Sequence, residues 1–258
     1  MNYKLLTDTA MLAGEIMLSS GAETYRVEDT MYHILKTSDS DSIEAMALLT
    51  GIMITVNDER MTQPISMVKR VNRRNTNMNN VIKVNDISRR YCGGQITLEE
   101  AYKSLKNVKE KQYNRIMYNV ATIGIVSSFA LVFGGTWLDV VAAAFVGMVL
   151  ACMITLGKII KLNGILVHVI CGIMIAMTAM GMQRFLLTDI DSNIVIISSL
   201  MPIVPGVAIT NAVRDTLQGD YLSGGARVLE AFLVAASIAV GVGLGMILFS
   251  IVAGGSAL

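Results

Sequence analysis

Residues Ser199 to Asp215 read Ser-Leu-Met-Pro-Ile-Val-Pro-Gly-Val-Ala-Ile-Thr-Asn-Ala-Val-Arg-Asp. Most of this is the composition of a membrane helix, yet Pro202 and Pro205 have no amide hydrogen. Within an apolar layer the carbonyls of Ser198 and Met201 therefore lose their intrahelical partners. Such a break is expensive in lipid. It is tolerated where the backbone is buried in protein or lines a polar cavity, and secondary transporters bind substrate at broken helices of this kind. The competing reading is a proline kink that only shapes packing. Asn211, Arg214 and Asp215 follow closely and weigh toward function.

Outward from this stretch the chain divides by charge. It is 53% hydrophobic, yet 16 of its 21 Lys and Arg and 14 of its 20 Asp and Glu lie in Met1 to Tyr118. From Asn119 on, hydropathy gives five candidate spans: Asn119 to Gly134, Leu138 to Leu156, Gly164 to Met182, Asn193 to Ala212 and Val228 to Val252. Each is near the ~20 residues that cross a hydrocarbon core. Gly134 to Asp139 holds no Lys or Arg, Gly157 to Gly164 holds Lys158 and Lys161, Gln183 to Ser192 holds Arg184, and Val213 to Arg227 holds Arg214 and Arg227. A cytoplasmic N-terminus keeps every basic residue but Arg184 inside, as the positive-inside rule demands. The C-terminus is then outside. The expectation is an α-helical integral protein of the bacterial cytoplasmic (inner) membrane, with a soluble domain at 1–115 and five transmembrane helices, the fourth broken, at 116–258.

The N-terminal part reads as mixed α/β. Tyr3 to Leu18 and Glu23 to Lys36 are amphipathic helices broken at Ser19-Ser20-Gly21, and Ser42 to Asn57 forms two strands around Thr50-Gly51. Thr62 to Val71 is a further strand. Val81 to Cys92 and Leu98 to Lys111 are helices, the last capped by Thr97 with Glu100 three residues on. Asp8 and Glu15 interrupt the first apolar stretch, which excludes a cleaved signal peptide. Net charge of +1 gives no reason for a nucleic-acid partner. Cys92, Cys152 and Cys171 lack metal-ligand spacing, so neither metal nor cofactor is expected. In the membrane part, Ala143, Gly147 and Ala151, and Gly241 with Gly245, present small-residue faces for helix packing.

An odd span count has a consequence. A second similar unit continuing from an external terminus would enter the membrane inverted, which is the repeat common in secondary transporters. No such repeat is visible within the five spans. Half of a transporter is expected, completed by a partner chain or a copy of itself.

Two stretches resemble the bacterial threonine/serine exporter family. One is Ser-Gly-Ala-Glu-Thr-Tyr-Arg-Val-Glu-Asp-Thr-Met at Ser20 to Met31. The other runs from Met201 to Asp215 and resumes as Gly-Asp-Tyr-Leu-Ser-Gly-Gly-Ala-Arg-Val-Leu-Glu-Ala at Gly219 to Ala231. Full-length members carry a soluble N-terminal region and about ten spans, twice a five-span unit. The chain is similar to the larger component of the split, two-gene form, whose smaller companion membrane subunit supplies the remaining spans. The resemblance implies export of threonine and serine, as in the fused form, or of a C4 dicarboxylate such as succinate, as in the split form.

The residues themselves outline a site for such a substrate. Asn211, Arg214 and Asp215 share a helical face if the helix resumes after Gly206, whose following amides form an anion-binding N-terminus. Arg214 would clamp a carboxylate, Asn211 would bond a hydroxyl or amine, and Asp215 would pair with an ammonium group or carry a proton. The alternative is that Arg214 and Asp215 pair with Asp220 or Arg227 and hold the loop. His168, Asp220, Arg227 and Glu230 are candidates for coupling or gating, and Ser198 and Ser199, like Ser127 and Ser128, for a polar path. Transport would proceed by alternating access driven by the proton gradient. A membrane-anchored hydrolase or sensor is the other class, with its chemistry around Glu15, Glu23, Asp29 and His33. Asp29 and His33, at i, i+4, are also the one place where a metal or acid/base pair is conceivable.

Overall fold

The computed structural model describes residues 2–72, 74–108 and 114–253. In chain order its elements are α1 (Tyr3–Ser19), α2 (Thr24–Lys36), β1 (Ser42–Leu48), β2 (Gly51–Asn57), β3 (Ile65–Arg70), α3 (Met78–Cys92), α4 (Leu98–Lys106), α5 (Arg115–Val132), α6 (Trp137–Ile160), α7 (Gly164–Phe185), α8 (Ser192–Leu200), α9 (Gly206–Leu217) and α10 (Tyr221–Val252). They form two compact units. One comprises Met1–Lys111 with Val207–Leu229, the other Gln112–Gly206 with Glu230–Leu258. The segment holding α9 and the start of α10 thus groups with the N-terminal elements, although it follows α5 to α8 in sequence.

In the first unit, β1, β2 and β3 form an antiparallel meander in the order β1-β2-β3. Leu48 pairs with Gly51 across a two-residue turn, so the hairpin falls at the expected place. Alternation along β2 buries Ile52, Ile54 and Val56 while Met53 and Thr55 are partly exposed, which is the pattern of a sheet covered on one face. The buried set packs with Leu6, Ala10 and Met17 of α1 and with Val27, Met31 and Leu35 of α2. β3 begins only at Ile65, because Pro64 has no amide to pair. The capping box of α4 is present in full: Glu100 N–H donates to Thr97 Oγ1 and Thr97 N–H to Glu100 Oε2. α4 ends at Lys106, and the expected extension through 109–111 lies outside the described residues.

Four described helices are long and apolar enough to cross a membrane: α5, α6 and α7 of the second unit, and α10, which belongs to the second unit from Glu230 on. Each of the first three starts at a polar cap, Asn114, Thr136 and Asn163, whose side chain accepts an amide hydrogen from the first turn. The expected fourth span, Asn193 to Ala212, is two helices, α8 of 9 residues and α9 of 12, separated by Met201–Pro205. At 1.5 Å per residue neither covers the ~30 Å of a hydrocarbon core alone.

Small residues explain the packing of these helices. A Cβ on Gly147 would lie 3.3 Å from the Ile123 Cα on α5. On Gly172 of α7 it would lie 2.9 Å from the Ile238 carbonyl oxygen of α10, and on Gly245 it would lie 2.7 Å from the Ile173 carbonyl oxygen. The small-residue faces read from sequence are therefore helix contacts of the close-approach kind. Large apolar side chains cover outward surfaces instead, among them Val141, Leu166, Phe232 and Ile247.

Candidate functional site

The Ser20–Thr24 turn begins where α1 stops. Gly21 takes the left-handed conformation at φ 84°, Ala22 N–H donates back to Met17 O and Gly21 N–H to Leu18 O. This is a Schellman stop, which satisfies the last carbonyls of a helix only if the residue past its end accepts positive φ. α2 then starts at Thr24 with Glu23 as its N-cap, but the Glu23 side chain makes no capping hydrogen bond. Four consecutive carbonyls, from Ser19 to Ala22, and the Thr24 amide all find partners elsewhere in the unit. Asn75 N–H donates to Ser19 O at 2.8 Å and Asn77 N–H to Ser20 O at 2.9 Å.

The other partners come from α9 and α10. α9 ends in a second Schellman stop, with Gly219 at φ 90°, Gly219 N–H on Thr216 O and Asp220 N–H on Asp215 O. Asp220 then turns the chain into α10, its Oδ1 accepting from Ser223 N–H at 3.2 Å. Gly224 allows the two helices to meet, since a Cβ there would lie 2.9 Å from the Thr216 nitrogen.

From this corner four side chains grip the first turn. Asn211 Nδ2 donates to Gly21 O at 2.9 Å, and an Arg227 terminal nitrogen donates to Ala22 O at 2.8 Å. Asp215 Oδ1 accepts from Thr24 N–H at 3.1 Å, so an aspartate 191 residues away caps the N-terminus of α2, where helix partial charge favours an anion. Arg214 pairs with Glu23. Asp215 and Arg227 pair with each other, Nε to Oδ2 at 2.8 Å. That contact lies off the direction of a good hydrogen bond, so the attraction is chiefly Coulombic. Asp215 is fully buried and Arg227 is 5% exposed, whereas the Arg214 side chain is 61% exposed.

Two glutamates of α2 register this charge arrangement in opposite directions. Burial pushes the Glu23 carboxyl up, but its own backbone amide and the Arg214 and Arg26 guanidiniums outweigh that and hold it below its ordinary value. Burial pushes Glu28 above its ordinary value; the Ala47 amide, bonded to it at 2.8 Å, opposes, while the charges of Asp220 and Asp215 add to the rise.

The structure thus brings Asn211, Arg214, Asp215 and Arg227 together with the Gly21–Thr24 turn, and Asp220 sits at the adjoining corner. Asp215 pairs with Arg227, as the loop-holding reading required, but Arg214 pairs with Glu23, which the sequence reading had placed only among possible enzyme residues. In sequence Gly21 reads only as a helix break, and Thr24 and Glu28 carry no assigned role, although all three lie in the Ser20 to Met31 stretch that resembles the family.

The remaining candidates lie in other places. Gly206 opens α9 and is exposed, its amide donating to Val204 O at 2.8 Å. Pro202 and Pro205 bound a tight turn in which Ser198 O accepts from Met201 N–H at 3.3 Å, three residues on, in place of the missing proline donor. Ser198 and Ser199 on α8 are fully buried; Ser198 Oγ donates to Val195 O, and Ser199 Oγ has no hydrogen-bond partner among the described residues. His168 is half-buried on α7, with Nδ1 likewise unpartnered there. Ser127 and Ser128 bond the carbonyls of Ile123 and Gly124 four residues back on α5. Glu230 lies on α10 at the start of its second-unit portion. Asp29 and His33 form an exposed pair at 3.4 Å, and the described residues contain no cluster of three or more His, Cys, Asp or Glu able to hold a metal.

Comparison with known proteins decides the family. Residues 8–249 match the family described as "Putative threonine/serine exporter", ThrE. The chain belongs to the ThrE family. Among curated proteins it is similar to the "Probable threonine/serine exporter" of Mycobacterium tuberculosis, 24% identical over 243 residues. That alignment covers 93% of this chain and 45% of the relative, so the chain spans less than half the length of that protein. No solved structure matches. ThrE membership and the four apolar helices make this a membrane protein.

Proposed function

We propose that this chain is the five-span half of an exporter that carries small, polar, carboxylate-bearing metabolites out of the cytoplasm. Threonine and serine are the first substrates to try, in line with the name of the Mycobacterium tuberculosis relative. A C4 dicarboxylate such as succinate is the second. The other half would come from a companion membrane subunit, a second copy, or further chain like that in the longer relative. The cycle is alternating access in the inner membrane, driven by the proton gradient.

The observation that carries this reading is the broken segment from Ser192 to Leu217. α5, α6 and α7 are three candidate spans joined by short turns. Counted from the side of the N-terminal domain, three crossings end on the opposite side. Yet Val207–Leu229 groups with the N-terminal elements. Parity supports a fourth crossing made jointly by α8, the proline turn and α9, and hence five spans in all. α10 fits the same count: its first turns belong to the first unit, and Glu230 to Val252 still gives about 34 Å of helix. A crossing in two pieces is the construction by which secondary transporters bring polar backbone and side chains to substrate.

On this reading Arg214 is the carboxylate-binding residue, exposed enough to meet substrate while Glu23 holds its other edge. Asn211 and Asp215 reach substrate only when they release Gly21 and Thr24, so substrate binding and the grip on the turn exclude one another. Ser198, Ser199 and Gly206 flank the proline turn and serve the polar path. The test is flux of labelled serine, threonine and succinate in liposomes holding the purified chain, with and without a companion subunit, beside Arg214→Ala. Flux lost in Arg214→Ala is the expected result. No flux of any of the three, from folded protein with the companion present and a proton gradient applied, overturns the reading.

A further inference from the structure

Three carboxylates and one guanidinium meet where α2 faces the α9–α10 corner. Asp215 touches the Thr24 amide, and Glu28 lies four residues on, along the same face of α2. Asp220 is tied to Asp215 through the backbone bond of the Schellman stop. Arg227 neutralises Asp215. Arg214 and Arg26 share Glu23, so that trio keeps one positive charge, carried on guanidiniums that are well exposed to solvent. With every acid ionised, Asp215, Glu28, Asp220 and Arg227 carry two net negative charges, which the one positive charge left on the solvent-screened trio offsets only in part, and surplus charge in a partly buried place is costly.

A second observation points to what relieves this. Asp220 Oδ2 is buried with no hydrogen-bond partner among the described residues. Thr24 Oγ1 and Ser223 Oγ are also without one, on residues 0% and 1% exposed. Each of these hydroxyls belongs to a residue whose own amide is bonded to one of the two aspartates. The two hydroxyls can donate as well as accept, but Asp220 Oδ2 can only accept, and an unmatched acceptor beside surplus negative charge calls for a hydrogen-bond donor carrying one positive charge. A proton on a carboxylate is the smallest, since it turns an acceptor-only group into an O–H donor.

We propose that Glu28 is a proton-binding residue, loaded while the Gly21–Thr24 turn is gripped, and that its titration couples the proton gradient to the grip. The coupling rests on the exporter reading; the proton site does not. The two aspartates are tied to N–H donors, Asp215 to Thr24 and to Arg227, and Asp220 to the first turn of α10. Among the described residues Glu28 has only the Ala47 amide of edge strand β1 as a hydrogen-bond donor. Among the described residues the charges that act on it are those of Asp215 on α9 and Asp220 before α10, both negative, so its ordinary value is raised beyond what burial gives. α1 and α3 also pack on α2, but their Glu15 and Asp86 pair with Lys69 and Arg90 and are not among those charges. When Glu28 loses its proton, the negative charge around Asp215 grows and the grip on the turn weakens.

Infrared titration of the full chain in lipid tests the site without any transport. The parent is expected to show a protonated carboxyl stretch that titrates above the ordinary glutamate range. Glu28→Gln is expected to lose that band. Asp220→Asn, which keeps the helix cap, is expected to move it to lower pH. A band unchanged in Glu28→Gln, or unmoved in Asp220→Asn, overturns the proposal. In liposomes that transport, the ratio of proton-driven to gradient-free flux is expected to fall to one in Glu28→Gln. A ratio like the parent's, or a sodium gradient that replaces the proton gradient, overturns the coupling. Silent liposomes count against the exporter reading alone, because the spectrum decides the site.

Discussion

The two glycine corners of the first unit are built alike and finished differently. At Gly219 and at Gly21 a helix stops in the same hydrogen-bond pattern and a new helix follows at once. After Gly219 the next helix is capped by its own neighbour, Asp220. After Gly21 the N-cap Glu23 leaves the amides of α2 to a distant aspartate. The first corner is complete within a few residues, and the second is complete only when α9 and α10 are in place. A helix end finished by a distant segment is stable when that segment is docked and lacks its cap when it leaves. That is the property a transport cycle needs at a contact it makes and breaks.

Removing the distant cap tests this most severely. Asp215→Ala leaves the Arg227 guanidinium buried without its counter-ion and the Thr24 amide without an acceptor. The expected loss is about 3–5 kcal/mol of stability, read as a lower unfolding temperature in detergent. Arg227→Met on the Asp215→Leu background should restore much of it, because the double change removes both buried charges. Losses that simply add would mean that the two residues act apart and that the second corner does not depend on their pairing.

Next come the glycines. A Cβ at positive φ costs about 1–2 kcal/mol, so Gly21→Ala and Gly219→Ala should each lower stability by that amount. The comparison sharpens when each is combined with loss of a cap. Asp220→Ala should cost about 1 kcal/mol through loss of the cap at the Gly219 corner. Asn211→Ala, which removes the donor to Gly21 O, should cost a similar amount. Because that donor acts on the Gly21 corner, Asn211→Ala should raise proteolytic cleavage between Ser19 and Thr24, and Asp220→Ala should not. Equal cleavage in both variants would erase the distinction.

Local signals carried much of the fold to the page in advance. The Thr97 and Glu100 pair, the Thr50-Gly51 turn and the 3.6-residue periodicity of α1 and α2 each act over a few residues, so the sequence alone placed those elements. The proline pair predicted a break that the structure has, but periodicity could not say that its second half groups with the N-terminal elements. That depends on contacts between residues about 190 apart, such as Asn211 with Gly21 and Arg214 with Glu23. Both halves of the grip lay in the two stretches that resembled the exporter family. What sequence could not supply was that the halves meet each other, because a polar side chain at the end of an apolar helix pairs equally well with substrate, water or a distant loop.

Arg214 should give the smallest change in stability and the clearest change in function. Its side chain is mostly exposed, so the pair with Glu23 is screened, and Arg214→Ala should cost no more than about 1 kcal/mol. The pH dependence identifies that contribution. Glu23 is held below its ordinary value in the folded state, so its stabilisation is present above the ordinary carboxylate range and fades as pH falls through the lowered folded value. Without Arg214 that folded value rises toward normal, and the acid side of the stability profile should flatten. Glu28 works in the opposite sense: its stabilisation is present below the ordinary glutamate value and is lost as pH rises through the raised folded value, so Glu28→Gln should flatten the profile over that rise. An Arg214→Ala protein with parent-like acid unfolding would show that Glu23 owes its lowered value to Arg26 and its own backbone amide. It would leave Asp215 and Arg227 as the charged residues of α9 and α10 that hold the turn.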